Sequence, residues 1–289
     1  MESLIRLARA LFTIVSMMLA TPATQALADS PSNTAADMLF TNGKVYTVNE
    51  AQPWAEAVAV EGNKIIYVGS SSTTKKYAGK NTRIIDLDGK MLLPGFIEGH
   101  IHPITGAIAS VGVDLQFDTI EEVLGAVKKY ADANPEMEII RGFGWRYPLF
   151  PVTGPTKEQL DSIIPDRPVY LIAIDAHSGW ANSMALKMAG VTTDTPDPQP
   201  GFSHYQRDPK TKEATGYLVE VPAMIEVLSD IQPQTKQRAA EEFEKLLPQF
   251  PAAGITSVFD AGLGGIGEEY GFQIYTELEK RGKLPMRVV

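Results

Sequence analysis

The sequence predicts an α/β chain in which short, turn-linked strands come first and a parallel sheet with covering helices comes after them. Three observations predict it. Residues 37–93 break into strand-like runs separated by Asn42-Gly43, Glu61-Gly62-Asn63 and Asp88-Gly89, all of them tight-turn chemistry. Residues 91–97, Met-Leu-Leu-Pro-Gly-Phe-Ile, form an apolar run of the kind that builds a buried strand. From residue 235 onward helix-like and strand-like segments alternate at the spacing of a parallel α/β sheet. Composition removes several other classes. With 44% hydrophobic residues in 289, the chain is not disordered by composition. Zero cysteine excludes a disulfide scaffold, a Cys-ligated zinc module and a thiol enzyme. A net charge of −9, from 35 acidic and 26 basic residues, argues against nucleic acid or an anionic membrane as partner.

Residues 1–28 read as a secretory signal peptide. Arg6 and Arg9 supply the basic start, residues 10–20 the apolar stretch, and Ala26-Leu27-Ala28 the small-x-small cleavage pattern. The apolar run is shorter than the roughly 20 residues that span a bilayer; an uncleaved N-terminal anchor is the alternative. Cleavage after Ala28 and the lack of cysteine point to a periplasmic or secreted protein with no membrane contact after processing. Residues 29–36 are small and polar, a flexible lead-in. Strands are expected at 38–40, 44–47, 57–61, 64–68 and 82–86, making a small β-sandwich or meander over 37–91. Thr119 is placed to cap a helix, with Glu122 completing a capping box and Asn134-Pro135 ending it. Strands are expected at 138–143 and 169–175, and a helix at 180–189 closed by Gly190. Residues 192–200 are a loop, 235–250 an amphipathic helix, 255–259 a strand, 268–281 a helix and 286–289 a strand.

The chemistry concentrates at Pro94-Gly95-Phe96-Ile97-Glu98-Gly99-His100-Ile101-His102. Histidines at i and i+2 on extended backbone share a side, so a strand ending here presents two imidazoles to one point. That is half of a zinc site; a catalytic zinc takes three protein ligands and a water. Two surface histidines in a loop are the plainer alternative. Further along lie Asp175-Ala176-His177-Ser178-Gly179-Trp180-Ala181-Asn182-Ser183, Thr215-Gly216-Tyr217-Leu218-Val219-Glu220 and Gly254-Ile255-Thr256-Ser257-Val258-Phe259-Asp260-Ala261-Gly262.

In this order, and preceded by Asp86-Leu87-Asp88-Gly89-Lys90, these motifs resemble the family 3 branch of the amidohydrolase superfamily, from residue 37 to the end. The one departure is Glu98, where that branch usually has Asp. The resemblance implies a TIM-like (β/α)8 barrel joined to a small β-sandwich, of which 37–91 would be the N-terminal share. It implies a divalent metal, zinc first, held by His100 and His102, which activates water and polarises a carbonyl. It implies hydrolysis of a non-peptide, amide-type carbon–nitrogen bond in a small molecule, with an acid group protonating the leaving nitrogen. It places His177 in an insertion at about 103–230, facing the pocket, where it binds substrate or only orders its own turn. Trp180 either packs or binds substrate. Glu220 either reaches the metal or caps the helix at 221–228. Asp260 ends a barrel strand, where catalytic residues of that fold sit, or serves only as an N-cap for the next segment. Arg141, Trp145 and Arg146 are candidates for the pocket mouth, and His204 reads as surface.

The expected ligand set is incomplete. There are four histidines, and none lies beyond His204. About three barrel strands can be assigned, at 92–97, 255–259 and 286–289, within a barrel portion spanning 92–289. The expectation is therefore the N-terminal portion of a longer enzyme, inactive alone, completed by its C-terminal half or by a homo-oligomer. The alternative is a non-catalytic periplasmic binding protein, or a decayed gene product, that keeps the pocket walls and lacks the later ligands.

Overall fold

The computed structural model describes residues 35–263 and 266–289. The signal peptide read at 1–28 lies outside the described residues. The lead-in expected at 29–36 ends sooner than the sequence implied: Ala36 is buried, and its N–H donates to the Tyr77 carbonyl at 2.8 Å. Among the described residues the protein is a mixed α/β chain with four sheets, divided into two compact units at Pro94 and Gly95.

Among the described residues the first unit holds seven strands: β1 (Met38–Thr41), β2 (Lys44–Tyr46), β3 (Trp54–Ala55), β4 (Ala57–Glu61), β5 (Lys64–Gly69), β6 (Arg83–Asp86) and β7 (Met91–Leu92). A short helix, α1 (Ser71–Thr74), comes after β5. One sheet has the order β5-β4-β1-β6, the other β3-β2-β7. The β4–β5 hairpin turns at Gly62, whose φ of +55° suits glycine. Leu39, Ala59 and Tyr77 form its small core.

The second unit opens with β8 (Phe96–Ile101) and α2 (Pro103–Ala109). Next in the chain is a six-stranded sheet: β9 (Val113–Asp114), β10 (Ile140–Trp145), β11 (Val169–Ala173), β12 (Ser178–Ala181), β13 (His204–Arg207) and β14 (Ala214–Val219). Its order is β13-β14-β12-β11-β10-β9, parallel from β9 to β11 and antiparallel beyond. Its helices are α3 (Ile120–Ala133), α4 (Lys157–Asp161), α5 (Ser183–Met188) and α6 (Glu220–Ile231). Along β11 the side chains alternate between two cores, as the period of a strand requires. Val169, Leu171 and Ala173 pack with Val123 and Val127 of α3. Tyr170 and Ile172 pack with Ala223, Met224 and Val227 of α6. The capping box at the start of α3 is present in full, Thr119 with Glu122, an arrangement worth about 1 kcal/mol.

The chain then forms α7 (Lys236–Leu246), α8 (Gln249–Ala252), β15 (Ile255–Asp260), α9 (Glu268–Lys280) and β16 (Arg287–Val288). These strands join β8 in an all-parallel sheet of order β16-β15-β8. Ile104 and Ile108 of α2, Ala239 and Phe243 of α7, Val258 of β15 and Ile274 of α9 share one core.

Several expectations need correcting. The apolar run 91–97 is two strands, not one: Met91 and Leu92 pair with β2, and Phe96 begins β8. Pro94-Gly95 breaks it, since proline has no donor for the ladder. Nor is it buried. Phe96 is 55% and Ile97 76% exposed, because β8 has a sheet neighbour on only one side among the described residues. The helix read at 180–189 starts at Ser183, with Asn182 as N-cap and Trp180 in β12. The loop containing His204 includes β13. Pro248 sits at the α7–α8 boundary of the long helix read at 235–250.

Candidate functional site

β8 carries the histidine pair to the sheet's C-terminal end. His100 lies inside the strand, and His102 is the N-cap residue of α2, with Pro103 at the first helical position. Their rings meet edge to face, with centroids 5.5 Å apart. His102 Nδ1 lies 2.8 Å from the carbonyl oxygen of Gly262. A carbonyl only accepts, so Nδ1 carries a proton and Nε2 is the nitrogen left outside this bond. That is how a ligating histidine is normally oriented and its tautomer fixed. Two imidazoles are donors of the type a divalent cation such as zinc takes. Among the described residues, no group of three or more His, Cys, Asp or Glu is arranged to hold a metal ion.

Asp260 ends β15 in register with Ile101, beside the histidine-bearing end of β8. Its Oδ1 accepts from the Gly262 N–H at 3.1 Å, and its Oδ2 accepts from the Tyr275 hydroxyl at 2.7 Å. Both oxygens are thus engaged, and the first bond is a turn rather than the N-cap of a helix. Burial first, then Asp260, pushes the Tyr275 hydroxyl pKa up, so this donor stays protonated.

His102 also lines a cavity of about 380 Å³, together with Asp175 and His177. Its walls are mainly apolar, from Ile108, Tyr170, Ile172, Met224 and Leu228. Two left-handed residues aim the polar rim: Ala176 at φ +61° and Glu220 at φ +65°. Non-glycine residues hold such angles at a cost of about 1–3 kcal/mol, and only where surrounding contacts impose them. Here the contacts are explicit. The Glu220 N–H donates to the His177 carbonyl at 3.0 Å, and His177 Nδ1 lies 2.9 Å from Glu220 Oε2. The His177 N–H donates to Asp175 Oδ1 at 3.0 Å, and the Tyr147 hydroxyl donates to the same oxygen at 3.0 Å. The hydrogen bond to Glu220 raises the His177 pKa above the ordinary value, and Asp175 adds to it. Burial pushes the Tyr147 hydroxyl up to about 12.

The sequence candidates therefore separate. His102 and His177 share a cavity. Glu220 serves His177, from the first turn of α6, and does not join the histidine pair in a metal-holding group. Trp180, for which packing and substrate binding were both open, is 0% exposed. Its indole N–H donates to the Thr156 carbonyl at 2.8 Å and its ring packs on Phe150, so it is a core residue. Trp145 is core as well, and Arg146 pairs with Asp118. Arg141 lines a different cavity. The Asp175 and Tyr147 contributions escaped sequence reading, although Asp175 opens the motif that contains His177.

Comparison with known proteins now fixes the class. The Amidohydrolase family model matches residues 83–289, and the chain belongs to that family. The chain is 34% identical over 237 residues to the exoenzymes regulatory protein AepA of Pectobacterium carotovorum subsp. carotovorum, covering 80% of this chain and 50% of that one. It is 30% identical over 256 residues to the N-substituted formamide deformylase of Arthrobacter pascens, covering 86% and 46%. The crystal structure of an uncharacterized metal-dependent hydrolase from Pyrococcus furiosus superposes with a TM-score of 0.60 at 27% identity, covering 87% of this chain and 49% of that one. The chain spans about half the length of these relatives.

Proposed function

We propose that this chain contributes the first metal ligands and one pocket wall to a divalent-metal hydrolase of non-peptide carbon–nitrogen bonds. The observation that carries the reading is His102, with Nδ1 tied to the Gly262 carbonyl and a cavity beside it. We read β16-β15-β8 as an arc of a (β/α)8 barrel and the six-stranded sheet as an insertion in it. Two imidazole nitrogens favour zinc over a hard cation that prefers oxygen. When bound, the metal supplies Lewis-acid activation of water and of a substrate carbonyl.

The remaining roles fall to side chains. Apolar walls suit an amide whose nitrogen bears an apolar substituent, which makes an N-substituted formamide a sensible first assay substrate. His177 has Nδ1 committed to Glu220, so its Nε2 carries the exchangeable proton. A raised pKa keeps that proton available near neutrality for the departing nitrogen. Asp260, with both oxygens engaged, orders the Gly262 turn that in turn orients His102.

The test is metal content of the protein expressed from its full reading frame, beside His100→Ala and His102→Ala. Loss of bound zinc in both variants, with loss of formamide hydrolysis, is expected. Unchanged metal content would remove the reading, and ligand binding without turnover would favour a binding protein instead.

A further inference from the structure

A second cavity, of about 470 Å³, is lined by residues that play no part in the proposed metal site or its pocket wall, Ile108 and Gln234 aside. Three of its side chains carry buried polar atoms with no hydrogen-bond partner among the described residues: Arg141 Nε, Arg238 Nη1 and Gln234 Oε1. Arg141 is 3% exposed. Its other nitrogens are spoken for: Nη1 donates to Gln232 Oε1 at 2.9 Å and Nη2 to the Ile108 carbonyl at 3.0 Å. Both partners are neutral. A buried guanidinium whose hydrogen-bond partners are all neutral is costly, and burial lowers the Arg141 pKa.

Glu242 offsets part of this burial through its charge, but no carboxylate among the described residues is hydrogen-bonded to either arginine. Among the described residues no acid lies within ion-pair distance of Arg141 or Arg238. Glu242 is taken by Lys245 at 2.8 Å and Glu241 by the Gln237 amide at 2.9 Å. Glu138 also lines the cavity, without contacting either arginine.

The three orphans specify a ligand. Arg141 Nε and Arg238 Nη1 are donors and ask for anionic oxygens. Gln234 Oε1 is an acceptor, because Gln234 Nε2 already donates to the Gln232 carbonyl at 3.0 Å. It asks for a hydroxyl. A carboxylate or sulfate offers acceptors only, whereas a hydrogen phosphate or a phosphomonoester monoanion offers both. We infer that this cavity is a binding site for a protonated phosphate group, held by Arg141, Arg238 and Gln234. Gln234 and Ile108 also line the cavity that contains His102. The two cavities therefore share a wall.

The test is isothermal titration of the purified protein with inorganic phosphate, sulfate and acetate at constant ionic strength, pH 6.5. Saturable phosphate binding, at least about tenfold tighter than sulfate, is expected from one additional satisfied buried group. Arg238→Gln leaves the deeply buried Arg141 in place and should weaken phosphate about tenfold or more, as loss of a charge-assisted bond does. Gln234→Met keeps the volume and should erase the preference for phosphate over sulfate. Absence of saturable phosphate binding, equal affinity for phosphate and sulfate, or an Arg238→Gln protein with undiminished affinity would each overturn the assignment. Titration with glycerol phosphate separates an esterified ligand from free phosphate.

Discussion

Asn182→Ala should strongly destabilise the second unit. Asn182 is fully buried and uses its whole amide. Its Oδ1 accepts from the N–H groups of Val169 at 3.0 Å and Ala185 at 2.9 Å. Its Nδ2 donates to the carbonyls of Ile164 at 3.0 Å and Arg167 at 2.8 Å. Alanine leaves three buried backbone groups and one part-buried carbonyl without these partners. Each costs about 1–3 kcal/mol, and the Ala185 bond is also the N-cap of α5, worth about 1 kcal/mol. Entry of water into the vacated space offsets part of this, so the low end of each range applies and the total is about 4 kcal/mol. With a urea slope of about 2 kcal/mol per molar, the midpoint falls by about 2 M. Tryptophan emission is the right probe, because Trp145 and Trp180 sit together in this core while Trp54 is half-exposed in the other unit. A midpoint drop below about 0.5 M, at unchanged slope, would refute the reasoning. It would mean that the amide hydrogen bonds are not what anchors β11, α5 and the strand leading from His177.

Other outcomes rest on the same geometry. In Glu220→Gln the His177 pKa should fall toward the ordinary histidine value, read by NMR titration of the ring. Because the folded-state pKa is raised, the stabilisation from this pair is present below the unfolded value near 6.5. It is lost as pH rises through the folded value, so the variant should match the parent at pH 9 and be less stable at pH 5.5. Tyr275→Phe should cost about 1 kcal/mol through loss of the bond to Asp260, measurable by urea titration. Gly112→Ala should cost more than about 3 kcal/mol: φ is +100°, and a Cβ there overlaps the Arg141 carbonyl oxygen. A folded Gly112→Ala protein with parental stability would show that this segment moves freely.

Much of the fold was legible because local signals and tertiary outcome agree. Thr119 and Glu122 cap α3 as their spacing says, and the residues facing the core of α3 are Val123 and Val127. The two histidine rings do come together, although His102 falls one residue past the end of β8 and caps α2. The features that stayed hidden depend on distant partners. Trp180 sits in a helix-like stretch, yet it pairs with Leu171 and Tyr217 in the sheet, and the helix waits for Asn182. The bond from Glu220 to His177 joins residues 43 positions apart, and no local pattern announces it. Arg141 looked like a pocket-mouth residue from its glycine neighbours, but the strand alternation turns it inward, under Ile108.

The bare flank of the parallel sheet has a practical side. Phe96, Ile97 and Phe259 are all exposed, and β8 and β16 each have one hydrogen-bonded neighbour among the described residues. A strand edge with free N–H and C=O groups beside large apolar side chains is a template for another strand. Preparations of this 289-residue chain should therefore self-associate as concentration rises. The onset should shift upward with mild chaotrope and downward with sulfate, which strengthens apolar association. Light scattering across a dilution series is thus the first measurement to make, before any titration is interpreted as binding.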